Sequence, residues 1–313
     1  MNSTNSTLSE ISLLESNLIA INGARYLELA SLTVLIYDHI ITLCEEIDFF
    51  WSGKWTLSRI LFFLNRYLPL IAMMYASLSC THVCDRSIRA GFMISLSAIC
   101  INQGILVLRV WHMFSHSVLA RLIAIVSYVA CSATSLITLG VSFGDLRSQA
   151  LNVPGISLIG CTAPPPSDIW KIFIPSIAIH TILYLFTAAR ALDGSGRFTK
   201  RPLVLRLLRD GGSIYFIAMV SVCSSAIGAR MTGFPMINFP ATYSNLTLVI
   251  NSIAVSRLMF SVRSLAGKLG TDVRCLLNPA ELSRVNWRVA AGGDIVVEMD
   301  TYEPPMTKNV PVV

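Results

Sequence analysis

Charge is what this sequence lacks most. Only 13% of its 313 residues are Asp, Glu, Lys or Arg, about half the share that is usual in a soluble domain. The deficit is concentrated in charge-free runs at 90–108, 122–143, 172–189 and 211–229. Apolar runs of about 18 or more residues are long enough to cross the ~30 Å hydrocarbon layer as helices. The sequence therefore predicts an integral membrane protein with the lipid bilayer as its first partner.

Other absences exclude further classes of protein. The net charge of +6 comes without a basic, aromatic-interleaved patch, so no nucleic-acid partner is expected. The opening MNSTNSTLSE lacks the basic region and early apolar run of a cleaved signal peptide, and the first span is expected to act as its own signal. No internal repeat is visible, which disfavours a transporter built from two equivalent halves.

The sequence offers little for catalysis or for metal binding. His112 and His116 share a helical spacing of four but lie at the membrane edge without a nearby carboxylate, and the five histidines do not converge with acids at one membrane depth, as a membrane-embedded zinc hydrolase requires. The last span has no lysine for a retinal Schiff base. We therefore expect no enzymatic activity, no cofactor and no metal. The five histidines are His39, His82, His112, His116 and His180.

The apolar pattern predicts an all-α bundle of seven membrane-spanning helices within residues 25–262. A segment of residues 1–24 precedes the bundle, and a polar tail of residues 263–313, largely disordered by composition, follows it. The predicted spans are about 25–43, 60–79, 90–108, 122–143, 171–190, 211–229 and 241–262.

Orientation follows from the distribution of Lys and Arg, which favour cytosolic loops. With the N-terminus outside, the cytosolic side collects more than twice as many of them as the other side. The loop 194–209 dominates the count, and we expect it to bind a cytosolic signalling partner. Its basic residues are Arg197, Lys200, Arg201, Arg206 and Arg209. The chain is then expected in the plasma membrane or another membrane of the secretory pathway.

Two opposite charges inside apolar surroundings are the leading candidate site. Asp38 is near the end of the first span and Arg66 is near the start of the second, so the two lie at similar depth. An unpaired charge at that depth is costly, which predicts an ion pair. The pair either holds the first hairpin together or acts as a switch or ion-linked pair, and His39 and Asn65 can join either network.

Several modifications are predicted from this topology. An outer disulfide between Cys84 and Cys161 would join the third span to the loop after the fourth, an arrangement that resembles G-protein-coupled receptors; Cys80 can replace Cys84, or the thiols stay free. Asn2 and Asn5 begin glycosylation sequons. Cys275 follows the last span closely enough for palmitoylation, although the stretch around it is equally consistent with a simple solvated basic segment.

The stretch 37–70 is similar to the opening of a large family of multi-pass membrane proteins of unknown function from basidiomycete fungi. The similar pieces are the YD at Tyr37-Asp38, the tryptophan-bounded loop 51–55 and the FFLNRYLP at 62–69. Weaker likeness continues at 106–111, 207–216 and 256–258. The resemblance implies a seven-helix fold and implies no chemistry.

The sequence favours a receptor-like protein, in which the outer loops and the upper bundle bind an unknown small ligand and the basic inner loop meets a partner. A transporter or channel with Asp38 and Arg66 on its conducting path is the alternative, and a structural membrane protein is the third. Fold analogy decides among none of these.

Overall fold

The computed structural model describes residues 2–52, 55–78, 84–114, 117–145, 149–150, 161–162, 165–192, 202–268, 286–289 and 295–298. Seven of its helices are long and apolar enough to span a membrane, as the sequence predicts. The helices are α1 (Asn2–Ile41), α2 (Leu43–Glu46), α3 (Leu57–Leu78), α4 (Cys84–Met113), α5 (Val118–Asp145), α6 (Phe173–Leu192), α7 (Pro202–Arg230), α8 (Pro235–Tyr243) and α9 (Leu246–Lys268).

Short elements link or follow these helices. A π-helical turn, Ile47–Trp51, continues from α2, and a 3₁₀ turn, Ile169–Ile172, leads into α6. The strands β1 (Gln149–Ala150) and β2 (Cys161–Thr162) pair antiparallel, and β2 lies against α4. The strands β3 (Asn286–Val289) and β4 (Ile295–Glu298) form a second antiparallel pair.

Helix α9 is the centre of the bundle. In its apolar stretch 61% of the residues are buried, against 17–39% in the other six spanning helices. It packs against α1, α3, α4 and α7. The outer helices expose large aliphatic side chains, as on α5 with Val126 and Ile137, because lipid is as apolar as the side chains it touches. The polar residues Thr247, Asn251, Ser252 and Ser256 of α9 are accordingly buried in protein.

The two ends of the bundle differ in character. The charged end is where α1 stops and α3 begins, and the cavity end is the opposite one. Because successive spans alternate in direction, α4, α6 and α9 begin at the cavity end. Close packing marks this second end: a Cβ on Gly228 of α7 would lie 2.5 Å from the Cβ of Ala241 in α8. Only glycine allows α7 and α8 to approach so closely.

Several helix boundaries differ from the predicted ones, and three of these differences have a clear cause in packing or backbone conformation. The first span is predicted to begin at 25, but α1 is already helical before that residue, and Ala20, Ile21 and Ala24 pack on Phe239 of α8. The predicted seventh span, 241–262, is divided, since Asn245 adopts a left-handed φ of 54° between α8 and α9.

The third difference lies at the end of α9. The helix continues past residue 262 to Lys268, because Val262 and Ala266 are buried in the main core. Within the predicted tail 263–313 the structure also describes β3 and β4, and the rest of that tail lies outside the described residues.

Candidate functional site

A proline in α3 prepares the charged end. Pro69 lies inside the helix and has no N–H to donate to the carbonyl of Asn65, four residues earlier. That carbonyl instead accepts a hydrogen bond from Ser252 Oγ of α9 at 2.7 Å. The neighbouring Arg66 carbonyl lies 3.0 Å from His39 Nε2 of α1. The start of α3 is thereby attached to both α1 and α9 through its backbone.

Arg66 is the centre of a buried charge network that comprises Asp38, Glu46, Arg66 and Arg257. Its side chain is 1% exposed. Its Nε lies 2.5 Å from Glu46 Oε2, and one terminal nitrogen donates to Thr42 Oγ1 at 2.6 Å and to the His39 carbonyl at 3.2 Å. The other terminal nitrogen lies 3.7 Å from Asp38 Oδ2. The guanidinium therefore meets acceptors on most of its edge, as a buried arginine requires.

Glu46 is the most completely bonded member of the network. Its Oε2 contacts Arg66, and its Oε1 accepts from Tyr67 Oη at 2.8 Å and from Trp51 Nε1 at 3.1 Å. These donors come from α3 and from the π-helical turn, and Glu46 is fully buried between them. Three donors on one carboxylate satisfy most of its hydrogen-bonding capacity.

Asp38 joins the network to α9. Its Oδ1 receives Arg257 Nε at 2.9 Å and the Arg257 terminal nitrogen at 2.8 Å. The two sides of Asp38 differ in exposure, since the Arg257 side chain is 45% exposed and Arg66 is buried. One carboxylate is thus shared between a buried cation on α3 and a partly exposed cation on α9.

His39 contacts a carbonyl oxygen with each of its ring nitrogens. Nδ1 lies 2.8 Å from the Leu35 carbonyl, and Nε2 makes the 3.0 Å contact to the Arg66 carbonyl. The ring is therefore held between the backbone of α1 and the backbone of α3. Tyr67 covers the ring edge-on, with ring centroids 5.8 Å apart.

Aromatic rings close the network on the side of α9. The Arg66 guanidinium lies 5.9 Å from the Phe62 ring centroid and 5.4 Å from that of Phe260. Phe50 stacks on Phe62, and Arg263 lies 4.3 Å above Phe50. These rings exclude solvent from the ion pairs, which strengthens them electrostatically.

The cavity end carries an uncharged pocket. A cavity of about 70 Å³ lies between α4, α5, α6, α7, α8 and α9. Its polar lining is Ser95, Ser225, Thr242, Asn245 and Thr247; the rest is apolar, with Phe92 and Phe173 the largest side chains. Ser95 Oγ donates to Asn245 Oδ1 at 3.1 Å, and Ser225 bonds to Thr247. None of its lining residues is charged, so this pocket suits a small neutral molecule.

The structure brings together some of the predicted site residues. Asp38 and Arg66 lie within ion-pair distance, and His39 and Asn65 contact the same segment. Cys84 begins α4 and Cys161 lies in β2, but their side chains are outside the described residues, as are those of Asn2, Asn5, Arg206 and Arg209. Residues outside the description altogether include Arg197, Lys200, Arg201 and Cys275.

Sequence reasoning missed Glu46, the nearest partner of Arg66. It follows the predicted first span and belongs to an acidic run that suggests an exposed loop. The signal that was available is the apolar and aromatic stretch directly after it, Ile47–Trp51, whose Phe50 packs on Phe62 and Phe260. Among the described residues no group of three or more His, Cys, Asp or Glu is arranged to hold a metal ion.

Comparison with known proteins finds a match only for the first hairpin of the chain. The model of a family of unknown function, DUF6533, matches residues 26–71. The match includes every network residue that precedes α4, among them Asp38, Glu46 and Arg66, and it ends before Arg257. No curated protein and no solved structure matches the chain. The chain is thus a multi-pass membrane protein, similar in its first hairpin to an uncharacterised family.

Proposed function

We propose that this protein is receptor-like, with a ligand site in the cavity and a releasable latch at the charged end. The latch is the Asp38–Arg257 pair, which connects α1 to the central helix α9. The proposal places the N-terminus and the cavity outside and the charged end in the cytosol. It includes no enzymatic activity of the chain itself.

The observation that carries this proposal is the unequal pairing of Asp38. Arg66 is held by Glu46, Thr42 and a backbone carbonyl, so it keeps α1, α2 and α3 together whether or not Asp38 is free. Arg257 is partly exposed and reaches Asp38 alone in this network. A long arginine side chain near the end of a spanning helix can extend its charged group to the membrane interface, where water can replace the partner. The α1–α9 contact is therefore the one that can open without unfolding the hairpin.

Helix α9 supplies the connection between ligand and latch. Asn245, Leu246, Thr247 and Leu248 line the cavity at or just before its start, and Arg257 is about three turns further along the same helix. A small neutral ligand that shifts the start of α9 also shifts Arg257 relative to Asp38. The basic segment 194–209, which from Pro202 onward belongs to α7 rather than to a loop, lies on the same cytosolic side in the proposed orientation and then meets the signalling partner.

Orientation is tested by topology mapping. We expect Asn2 and Asn5 to be glycosylated in cells and the C-terminal tail to be cleaved only by protease added from the cytosolic side. Both ends on the cytosolic side would overturn the proposed arrangement. Glycosylation would also establish that the chain enters the secretory pathway.

The latch is tested with Arg257→Gln in the full chain. Spin labels at the charged ends of α1 and α9 are expected to give a longer and broader distance distribution in this variant than in the wild type. Pull-down with the cytosolic fraction should recover more partner with Arg257→Gln, and deletion of 194–201 should remove that gain. An unchanged α1–α9 distance would overturn the latch, and unchanged recruitment after loop deletion would overturn the partner site.

A second candidate, transport, is favoured by a stripe of buried polar residues along α9. Thr247, Asn251, Ser252 and Ser256 face the interior between the cavity and the charge network. In reconstituted vesicles, a transporter would show altered flux with Asp38→Asn at unchanged folding. Unaltered flux together with an intact latch response would leave the receptor-like function.

A further inference from the structure

The middle of the bundle contains two buried amides that lack partners. Asn102 of α4 is 2% exposed, and neither its Oδ1 nor its Nδ2 has a hydrogen-bond partner. Asn65 of α3 is 0% exposed; its Nδ2 donates to the Ser252 carbonyl and to Ser256 Oγ, but its Oδ1 has no partner. Unpaired polar groups in a membrane interior are costly, so these three atoms call for a bound molecule.

The register between α4 and α9 places both amides at one turn of α9. Ser95 bonds to Asn245, 150 positions later, and Ala98 clusters with Leu248 at the same offset. Continuing that offset along two parallel helices brings Asn102 level with Ser252. Asn65 approaches Ser252 from α3, where it accepts the Ser252 hydroxyl and donates to the Ser252 carbonyl. The unpaired groups of α3 and α4 therefore converge beside the same residue.

A third amide lies next to this point. Asn251 precedes Ser252 on α9 and is buried, and its Oδ1 accepts from Ser221 Oγ of α7 at 3.4 Å. The site is separate from the cavity, whose lining includes none of these three asparagines. It is also separate from the charge network, because both oxygens of Asp38 face arginines.

The chemistry of the three amides selects the ligand. Asn102 offers two N–H donors and an acceptor, whereas the Oδ1 of Asn65 only accepts. The bound molecule must therefore both donate and accept. A cation is disfavoured because the amides carry no charge. The carboxylates of Asp38 and Glu46 cannot help to bind one, because both are already paired with arginine.

We propose that Asn65 and Asn102, with Asn251 nearby on α9, form a water-binding site that bridges α3 and α4 in the middle of the membrane. Buried water typically makes about three hydrogen bonds to otherwise unsatisfied polar groups, which is the number of unpaired amide atoms at this site. Bound water can exchange hydrogen bonds without breaking a side-chain contact, so α9 can shift here while the amides stay satisfied. The site stands on these contacts alone and requires neither the receptor nor the transport function.

The test is pulsed hydroxyl-radical labelling of the full chain in lipid nanodiscs prepared in ¹⁸O water, read by mass spectrometry. Radicals formed from a bound water label the side chains beside it. Leu106, one turn after Asn102, and Leu183 of α6 are a matched pair, since both are leucines and both are 0% exposed. We expect ¹⁸O to enter Leu106 several-fold faster than Leu183.

The variant Asn102→Leu should reduce the labelling of Leu106 to the level of Leu183, because it removes the amide and fills the space. Equal labelling of the two leucines in the wild type would overturn the proposal without recourse to any variant. A co-purified organic molecule, detected as a bound mass in native mass spectrometry and lost with Asn102→Leu, would overturn water as the ligand.

Discussion

The two ends of this bundle are held together by different forces. At the charged end, Arg66 and Glu46 lie 2.5 Å apart, surrounded by aromatic rings and fully buried. Around the cavity at the other end, contacts are neutral: hydroxyls and amides bond to one another, and Gly228 allows α7 and α8 to touch. An ion pair at that end, Lys171–Asp168, is exposed. The same helix, α9, runs through both environments.

This difference indicates where the protein can change shape. Buried ion pairs depend steeply on geometry, because losing one partner leaves an uncompensated charge. Neutral hydrogen bonds between short side chains are individually modest, and a cavity allows them to rearrange. The charged end therefore fixes the first hairpin, while the cavity end can adapt to a ligand. Each prediction below removes one feature from one end and compares the loss of stability.

The largest loss is expected at the charged end, with Glu46→Gln. The amide keeps the shape of the side chain but leaves Arg66 without its closest counter-charge, so the free energy of unfolding should fall by about 3–5 kcal/mol. Denaturant unfolding in detergent micelles measures this change. Glu45→Gln is the matched control, because Glu45 is adjacent and exposed, and its change should be within about 0.5 kcal/mol.

An equally small effect of both substitutions would contradict the network as described. It would mean that the carboxylate of Glu46 contributes no more than a surface charge. The cavity end would then be the more tightly held of the two.

The next loss is expected at the cavity end, with Gly228→Ala. The added methyl group would lie 2.5 Å from the Ala241 Cβ and would push α8 away from α7. Overpacking of this kind costs about 1–3 kcal/mol. Gly140→Ala in α5 is the control, since nothing lies within 4 Å of its Cβ position. Similar melting temperatures for the two variants would show that α7 and α8 do not need close contact.

The sequence predicted the membrane class and the number of spans because long apolar runs have a single physical explanation in this setting. It also placed Asp38 and Arg66 at one depth, since rise per residue suffices for that estimate. It could not find Glu46 as a partner, because burial of that side chain depends on how the following π-helical turn packs against α3. The division of the seventh span at Asn245 was missed for a related reason: an asparagine can adopt the left-handed region, but the sequence does not state that it does.

That left-handed residue gives the third prediction. Asn245→Ala should lower the free energy of unfolding by about 1–2 kcal/mol, because alanine is strained at a φ of 54°. Asn245→Gly removes the Ser95 contact as well but tolerates this backbone, so it isolates the hydrogen bond. If glycine is as destabilising as alanine, the hydrogen bond rather than the backbone maintains the break between α8 and α9.

The smallest loss is expected from Arg257→Gln, although this residue belongs to the charged end. Its side chain is 45% exposed and can extend to the membrane interface, so water can take the place of Asp38 and the pair should contribute about 1 kcal/mol or less. Asp38 also keeps Arg66 at 3.7 Å after the substitution, so no buried charge is left alone. The same denaturant unfolding measurement, made beside Glu46→Gln, compares the two arginine contacts directly.

A loss as large as that of Glu46→Gln would mean that α9 is clamped to α1 as firmly as α3 is, and the contact could not serve as a latch. A small loss with a longer α1–α9 distance would instead place the movable joint of the bundle at this one ion pair.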